Sequence, residues 1–361
     1  MKNILYIGRY NGIIGGIERY MQQSAELLRK NGFTVHYLYT ENGGREQERF
    51  ASAFDSTSEF DVDQPLIADA DADIIIIHNI IPTELLKALP GNRTFFFAHD
   101  HNIYCRRHHY YTPIGRTNCH RAYHALRCLI CSLGRKCAPP LAEYRKLPAL
   151  VLSDFMAENL RKNGFEKVIK LPAFIRTTEQ ERSFMPDGIL RILFLGQLIR
   201  GKGADLMLKT LAGLDIPFVC TIAGSGNDRT MLEEMVSDYK LQDKVHFAGF
   251  VSDTEKLWEN CDLFFFPIRW QEPFGLVALE AMAHGVPVAA FDTGGVREYL
   301  DDSCGRLIPE KDISSAGETL KMLSRPELLQ KLGQNGLQIT KNRFSEEKFM
   351  DKFNTLAEVL K

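Results

Sequence analysis

The sequence has no apolar run long enough to cross a bilayer. Its long apolar runs, residues 74–77 and 263–267, fall far short of the ~20 residues a spanning helix needs. A leader is also not expected. Met1 runs directly into Lys2-Asn3-Ile4-Leu5-Tyr6-Ile7-Gly8, with no basic n-region before the apolar stretch and no small-residue cleavage site after it. The expectation is a cytoplasmic protein. Low-complexity segments and short internal repeats are absent, which argues against solenoids and disordered tails. Charge imbalance is small, a formal −2, so the chain as a whole is no general nucleic-acid binder.

Two local features depart from this average. Between Cys105 and Lys146 stand nine cations (Arg106, Arg107, Arg116, Arg121, Arg127, Arg135, Lys136, Arg145 and Lys146) against the single acid Glu143. Such a stretch suits an anionic acceptor, such as a lipid-linked phosphate, or the inner face of the cytoplasmic membrane; otherwise it is a solvated basic face. Five of the eight cysteines also fall within residues 105–137. Without a secretory route a disulfide framework is not expected, which leaves metal binding or plain burial.

The 361 residues exceed one ordinary core, and 45% hydrophobic with 25% charged residues is usual for globular domains. Apolar runs predict strands at 4–8, 34–39, 73–78, 94–99, 149–153 and 168–171, then at 191–196, 218–224, 245–248, 263–267 and 286–291. Most are apolar throughout, as parallel strands covered on both faces are. Helical periodicity fills gaps between them, at 17–31, 205–214 and 230–241. This alternation predicts an α/β protein of two Rossmann-like, doubly wound domains. A polar, Pro/Gly-bounded stretch at 172–188 reads as the linker. The domains expected are 1–172 plus 345–361, the last segment being a helix that returns to the first domain, and 188–342. Open α/β sheets bind ligands beyond the carboxyl ends of their strands, so the ligand edges should face an interdomain cleft.

Three segments of the second domain lie at such strand ends. Gly196-Gln197-Leu198-Ile199-Arg200-Gly201-Lys202-Gly203 is a glycine-rich, doubly cationic turn entering a helix, suited to phosphate but without Walker spacing. Gly224-Ser225-Gly226 ends a neighbouring strand. In Glu272-Pro273-Phe274-Gly275-Leu276 a loop meets a helix whose free N–H groups at Phe274, Gly275 and Leu276 would face an anion. Glu280 follows on that apolar helix, where a solvated carboxylate is unexpected. Asp69-Ala70-Asp71-Ala72-Asp73 precedes a strand instead of following one and reads as a solvated turn, not a divalent-ion motif.

Glu272-x7-Glu280, with Pro-Phe-Gly after the first glutamate and Gly285-Val286-Pro287-Val288 after the second, resembles the signature of the retaining family-4-type glycosyltransferases of GT-B fold. The similarity extends along most of the chain. Gly196-x5-Lys202-Gly203 resembles the family's diphosphate loop. Gly249-Phe250-Val251-Ser252-Asp253 resembles its base-pocket turn, and Gly15-Gly16-Ile17-Glu18 its N-terminal glycine loop. Thr293-Gly294-Gly295-Val296-Arg297-Glu298 resembles a further turn of that family. One departure stands out: Gln197 occupies the position where the family usually has Arg, with Arg200 three residues on as a substitute cation.

The resemblance implies a nucleotide-sugar co-substrate and no cofactor for the chemical step. It places Lys202 and Arg200 on the diphosphate, Glu280 on the ribose and Glu272 on the donor sugar. It implies His99, ending the strand at 94–99, as a sugar contact, and Gly15, Gly16, Gly224, Phe250 and Val251 as donor-lining positions. The implied reaction is retaining transfer of a hexose-type sugar to a cell-envelope glycan or lipid-linked acceptor. A catalytically silent paralogue, favoured only by Gln197, and a nucleotide-sugar epimerase are the alternatives. Some members are similar also in a cysteine series after the His-Asp of the acceptor-side strand, here His99-Asp100. Cys105, Cys119, Cys128 and Cys131 would then hold a structural zinc, with Cys137, His120 or His124 as substitute ligands.

Overall fold

A computed structural model describes residues 2–61, 72–112, 117–132, 141–178 and 182–358. It divides into two compact units. Met1–Pro172 with Glu346–Lys361 form the first, and Ala173–Ser345 the second.

The first unit contains seven parallel strands: β1 (Asn3–Tyr10), β2 (Thr34–Glu41), β3 (Ser56–Glu59), β4 (Ile74–Ile77), β5 (Thr94–Phe97), β6 (Ala149–Val151) and β7 (Val168–Lys170). Their order is β3-β2-β1-β4-β5-β6-β7. The second sheet holds β8 (Leu190–Leu195), β9 (Phe218–Ala223), β10 (Val245–Gly249), β11 (Leu263–Phe266), β12 (Val288–Phe291) and β13 (Gly305–Ile308), all parallel, in the order β10-β9-β8-β11-β12-β13. Strands β4, β5, β11 and β12 are buried at every residue. That explains their unbroken Ile, Phe and Val runs: helices cover both faces of the interior strands.

Two strands escape the sequence reading. β3 is Ser-Thr-Ser-Glu, exposed along its length at the sheet edge, so it carries no apolar signal. β13 opens with Gly305, where a side chain would overlap the Val288 carbonyl, and is likewise an edge strand. The helix predicted at 17–31 is observed at Gly16–Lys30, with Tyr20, Met21, Ser24, Leu27 and Leu28 buried. The last helix, Glu346–Glu358, packs within the first unit, where Phe353 meets Phe33 edge-on at 5.6 Å and Glu346 pairs with Lys30.

In each sheet the strand order reverses between two adjacent strands, β1 and β4 in the first and β8 and β11 in the second. Connections leave such a pair in opposite directions, so a crevice opens at their carboxyl ends. The loops that follow β8 and β11 are the two segments singled out for chemistry. Those that follow β1 and β4 carry Gly15 and His78.

Candidate functional site

After β8 the chain passes exposed Gln197 and buried Leu198, then makes a single 3-10 turn at Arg200–Lys202 before the helix Ala204–Ala212. Two glycines permit this path. A side chain on Gly201 would overlap the ring of Trp270, and one on Gly203, which has φ +79°, would overlap the Pro267 carbonyl. The loop after β11 therefore lies directly on the loop after β8.

Arg269 locks the two together. Its backbone N–H donates to Gly201 O at 3.0 Å, and its Nη1 donates to Arg200 O at 2.7 Å. Its guanidinium also grips both carboxylate oxygens of Asp205, in the first turn of the following helix. Arg269 is buried, so its charge is consumed by Asp205 and is not offered to a ligand. Sequence reasoning missed both residues. The available signal was a cation placed immediately after a buried strand, with an acid at the start of a helix to match it.

Lys202 donates from Nζ to Glu272 Oε2 at 2.9 Å and lies 5.3 Å from the centre of the Trp270 ring. Glu272 also accepts from Trp270 Nε1 at 3.4 Å. Arg200, by contrast, is exposed, and its guanidinium has no partner among the described residues. Beyond Glu272, Phe274 is buried against Tyr299, whose hydroxyl donates to Gly275 O at 2.9 Å. Gly275 starts the helix Leu276–Ala283 without a side-chain cap. Among the described residues, the N–H groups of Phe274, Gly275 and Leu276 find no acceptor. Uncapped N–H groups at a helix start favour an anion.

Glu280 projects from that helix and is only half-buried. Its Oε1 accepts two bonds, from Thr254 Oγ1 at 2.7 Å and from Trp258 Nε1 at 3.0 Å. Its Oε2 has no partner among the described residues. One oxygen is thus anchored, and the other is free to accept from hydroxyls. Trp258 and Thr254 are further residues that the sequence reading missed. The turn at residues 249–253 follows β10, with Phe250 exposed, and Gly224 donates its N–H to Gly249 O at 2.7 Å, joining the ends of β9 and β10.

In the first unit, Gly15 caps the helix Gly16–Lys30 and its N–H donates to Glu18 Oε2 at 2.9 Å. Burial raises the Glu18 carboxyl above its ordinary value. His99 follows β5, and burial holds its imidazole down at about 3. Asp100 beside it is pushed up to about 6 by burial, against the two bonds it accepts from Asn102.

Cys105, Cys119, Cys128 and Cys131 are half-buried cysteines, not in disulfides, that lie within one another's electrostatic field. Among the described residues, no group of three or more His, Cys, Asp or Glu side chains is arranged to hold a metal ion. Cys128 Sγ accepts from the His124 N–H at 3.4 Å within its own helix turn. Cys137, Arg116, Arg135, Lys136, Asp69 and Asp71 lie outside the described residues. Asp73 accepts from the Asn3 N–H at 2.8 Å.

The family described as Glycosyl transferases group 1 matches residues 175–339. The uncharacterized glycosyltransferase YqgM of Bacillus subtilis is 33% identical over 159 residues, 42% of this chain and 43% of its own length. The alpha-D-kanosaminyltransferase of Streptomyces kanamyceticus is 28% identical over 163 residues, 43% of this chain and 42% of its own. The chain thus matches under half the length of these relatives. Solved structures match throughout. Anabaena HepE in complex with UDP and glucose superposes with a TM-score of 0.75 at 15% identity, covering 99% of this chain and 100% of that one. WaaG, a glycosyltransferase involved in lipopolysaccharide biosynthesis, gives 0.71 at 19% identity, covering 99% of each chain. Through residues 175–339 the chain matches the glycosyl transferases group 1 family, and its two parallel sheets are those of the GT-B fold.

Proposed function

We propose that the protein is a retaining glycosyltransferase that moves a hexose-type sugar from a nucleoside-diphosphate sugar to a cell-envelope glycan or lipid-linked acceptor. The observation that carries this is the grouping of Lys202, Glu272 and the uncapped Phe274–Leu276 N–H groups, with the half-free Glu280 on the same helix. A diphosphate leaving group builds negative charge as the glycosidic bond breaks. Lys202, the unpartnered Arg200 and the fixed N–H groups would stabilise that charge. Glu272 would accept from sugar hydroxyls and Glu280 Oε2 from the ribose. His99 would contact the sugar, with Gly15 and Gly16 near donor and acceptor. The donor phosphate would take the acceptor's proton in same-face attack, so no carboxylate pair is assigned as nucleophile and acid. The chemical step in this reading draws its charge stabilisation from side chains and amides.

HepE has been solved with UDP and with UDP-glucose, which supports a nucleotide-sugar donor here. The E. coli O-antigen biosynthesis glycosyltransferase WclY, 31% identical over 125 residues, supports an envelope acceptor. The basic segment fits an anionic acceptor or membrane surface. Its helix Ala125–Cys131 exposes Leu126, Leu129 and Ile130 beside exposed Arg121 and Arg127. No helix among the described residues is long and apolar enough to cross a membrane, so peripheral contact is the reading.

The silent-paralogue alternative rests on exposed Gln197, and Arg200 answers it by supplying an unpartnered cation three residues on. A panel of nucleotide sugars tests both readings. Binding is read by thermal shift and turnover by nucleoside-diphosphate release. Release with one donor supports the transferase. Binding without release, in the presence of membrane extract as acceptor, supports the silent paralogue.

A further inference from the structure

His78 and His99 form a pair that the proposed reaction does not use as such. His78 stands immediately after β4 and His99 after β5, adjacent strands of the first sheet. His78 Nδ1 and His99 Nε2 are 2.8 Å apart, a hydrogen bond. His78 is 2% exposed, and its Nε2 is buried without a partner. His99 is half-buried, and its Nδ1 has no partner among the described residues. The rings are held in place. His99 stacks on Phe97 at 4.3 Å and 5°, and His78 packs on Tyr6 at 4.4 Å. A 180° flip of either ring would keep the stacking but put a carbon in place of a bonded nitrogen, and so break the 2.8 Å bond.

Burial keeps both imidazoles uncharged at neutral pH. Two neutral rings share one proton across the bond, and two arrangements are open. If His99 donated from Nε2, His78 would carry its own proton on Nε2, as an orphaned N–H sealed in the core. If His78 donates from Nδ1, its buried Nε2 is a bare lone pair. Orphaned buried N–H groups are the rarer defect.

We infer that His78 is a positioning residue: it donates from Nδ1 to His99 Nε2 and so fixes His99 in the tautomer that carries its proton on Nδ1. His99 then presents an N–H donor, and its ligand partner is an acceptor oxygen, such as a sugar hydroxyl or a phosphate oxygen. That last step rests on the proposed glycosyl transfer; the tautomer itself does not.

Nitrogen NMR on full-length protein labelled with 15N-histidine, at neutral pH, reads the tautomers directly. The expected result is protonated Nδ1 and bare Nε2 on both residues. Protonated Nε2 on His99 overturns the inference, whatever the activity. His78→Asn places an amide N–H where the imidazole Nδ1 stands. It should keep the His99 tautomer and hold kcat within about threefold of the parent, less than the loss of one hydrogen bond. His78→Leu should leave His99 as a tautomer mixture and lower kcat at least about tenfold. An unchanged His99 tautomer in His78→Leu also overturns the assignment. If His78→Leu does not fold, the parent and the Asn variant decide it. Absence of any sugar transfer with the expected tautomers would remove the proposed function and leave the pair as assigned.

Discussion

Lys202 and Glu272 are one ion pair, Nζ to Oε2 at 2.9 Å, with 22% and 14% of the two side chains exposed. The cation assigned to the leaving group and the carboxylate assigned to the sugar therefore restrain each other. Substituting either removes a ligand contact and also frees its partner from the position it needs. Lys202→Ala and Glu272→Gln should each lower kcat/KM at least tenfold, since hydrogen bonds to charged groups are worth ~1.5–3 kcal/mol. The double variant should lose clearly less than the product of the two, because both act through one unit. Full multiplicativity in a double-mutant cycle would show that the pair is incidental.

Glu280 has a different architecture, in which its anchors can be removed without touching the ligand oxygen. Trp258→Phe deletes the 3.0 Å bond to Oε1 and leaves Thr254 as the sole anchor. The expected effect is about three- to tenfold weaker nucleoside-diphosphate binding, the loss of roughly one hydrogen bond, with little change in kcat. Calorimetric titration of the nucleotide checks this. Equal affinity in Trp258→Phe would remove the positioning role.

These contacts mark where sequence reasoning stopped. The loops that carry Gly196, Lys202 and Glu272 were legible as strand-end turns because each follows an apolar run, and spacing survives without coordinates. The interior strands were legible because burial on both faces leaves an unbroken apolar run. Arg269, Asp205, Thr254, Trp258 and His78 were not. Asp205 and Arg269 are separated by 64 residues, and Trp258 and Glu280 by 22, so no local pattern links them. Edge strand β3 was invisible for the opposite reason: it buries nothing.

Arg269 should be a stability residue first. Its guanidinium is almost wholly buried against Asp205, so truncating it strands a carboxylate and releases the Arg200 carbonyl. Arg269→Ala should destabilise by about 3 kcal/mol or more, the usual cost of breaking a buried pair. Arg269→Ala combined with Asp205→Ala should recover part of that loss. Urea unfolding of the three variants tests it, and additive losses would argue that the two charges are independently solvated.

The thiols of Cys105 and Cys131 lie above the ordinary thiol value, chiefly through burial and then through the neighbouring cysteines. Raised values lower the thiolate fraction, so alkylation at neutral pH should be slower than for free cysteine and should accelerate as pH rises. Metal analysis of protein purified without chelator or metal-affinity resin decides the structural zinc implied at Cys105, Cys119, Cys128 and Cys131: well under one zinc per chain, with the four thiols freely titratable in the folded state, would rule it out. Stoichiometric zinc that protects the four thiols together would support the tetrahedral site that the resemblance implies.

Acid stability follows from groups of opposite sign in the first unit. His78 and His99 have values depressed from 6.5, His99 to about 3, so between those limits the unfolded chain takes up protons that the folded chain refuses. Their contribution is intact above 6.5 and is lost as pH falls. Asp100 is raised from 3.8 to about 6, so the folded chain takes up a proton there that the unfolded chain does not. That contribution is present below 3.8 and is lost as pH rises through 6. Asp100 and the raised Glu18 oppose the two histidines, but the unfolded histidines take up protons across most of this range, so net stability should fall from pH 7 to pH 5. His99→Phe should flatten the fall, and Asp100→Asn should steepen it. Urea midpoints across this range give the three slopes, and a steeper fall in His99→Phe than in the parent would contradict the burial of a neutral His99.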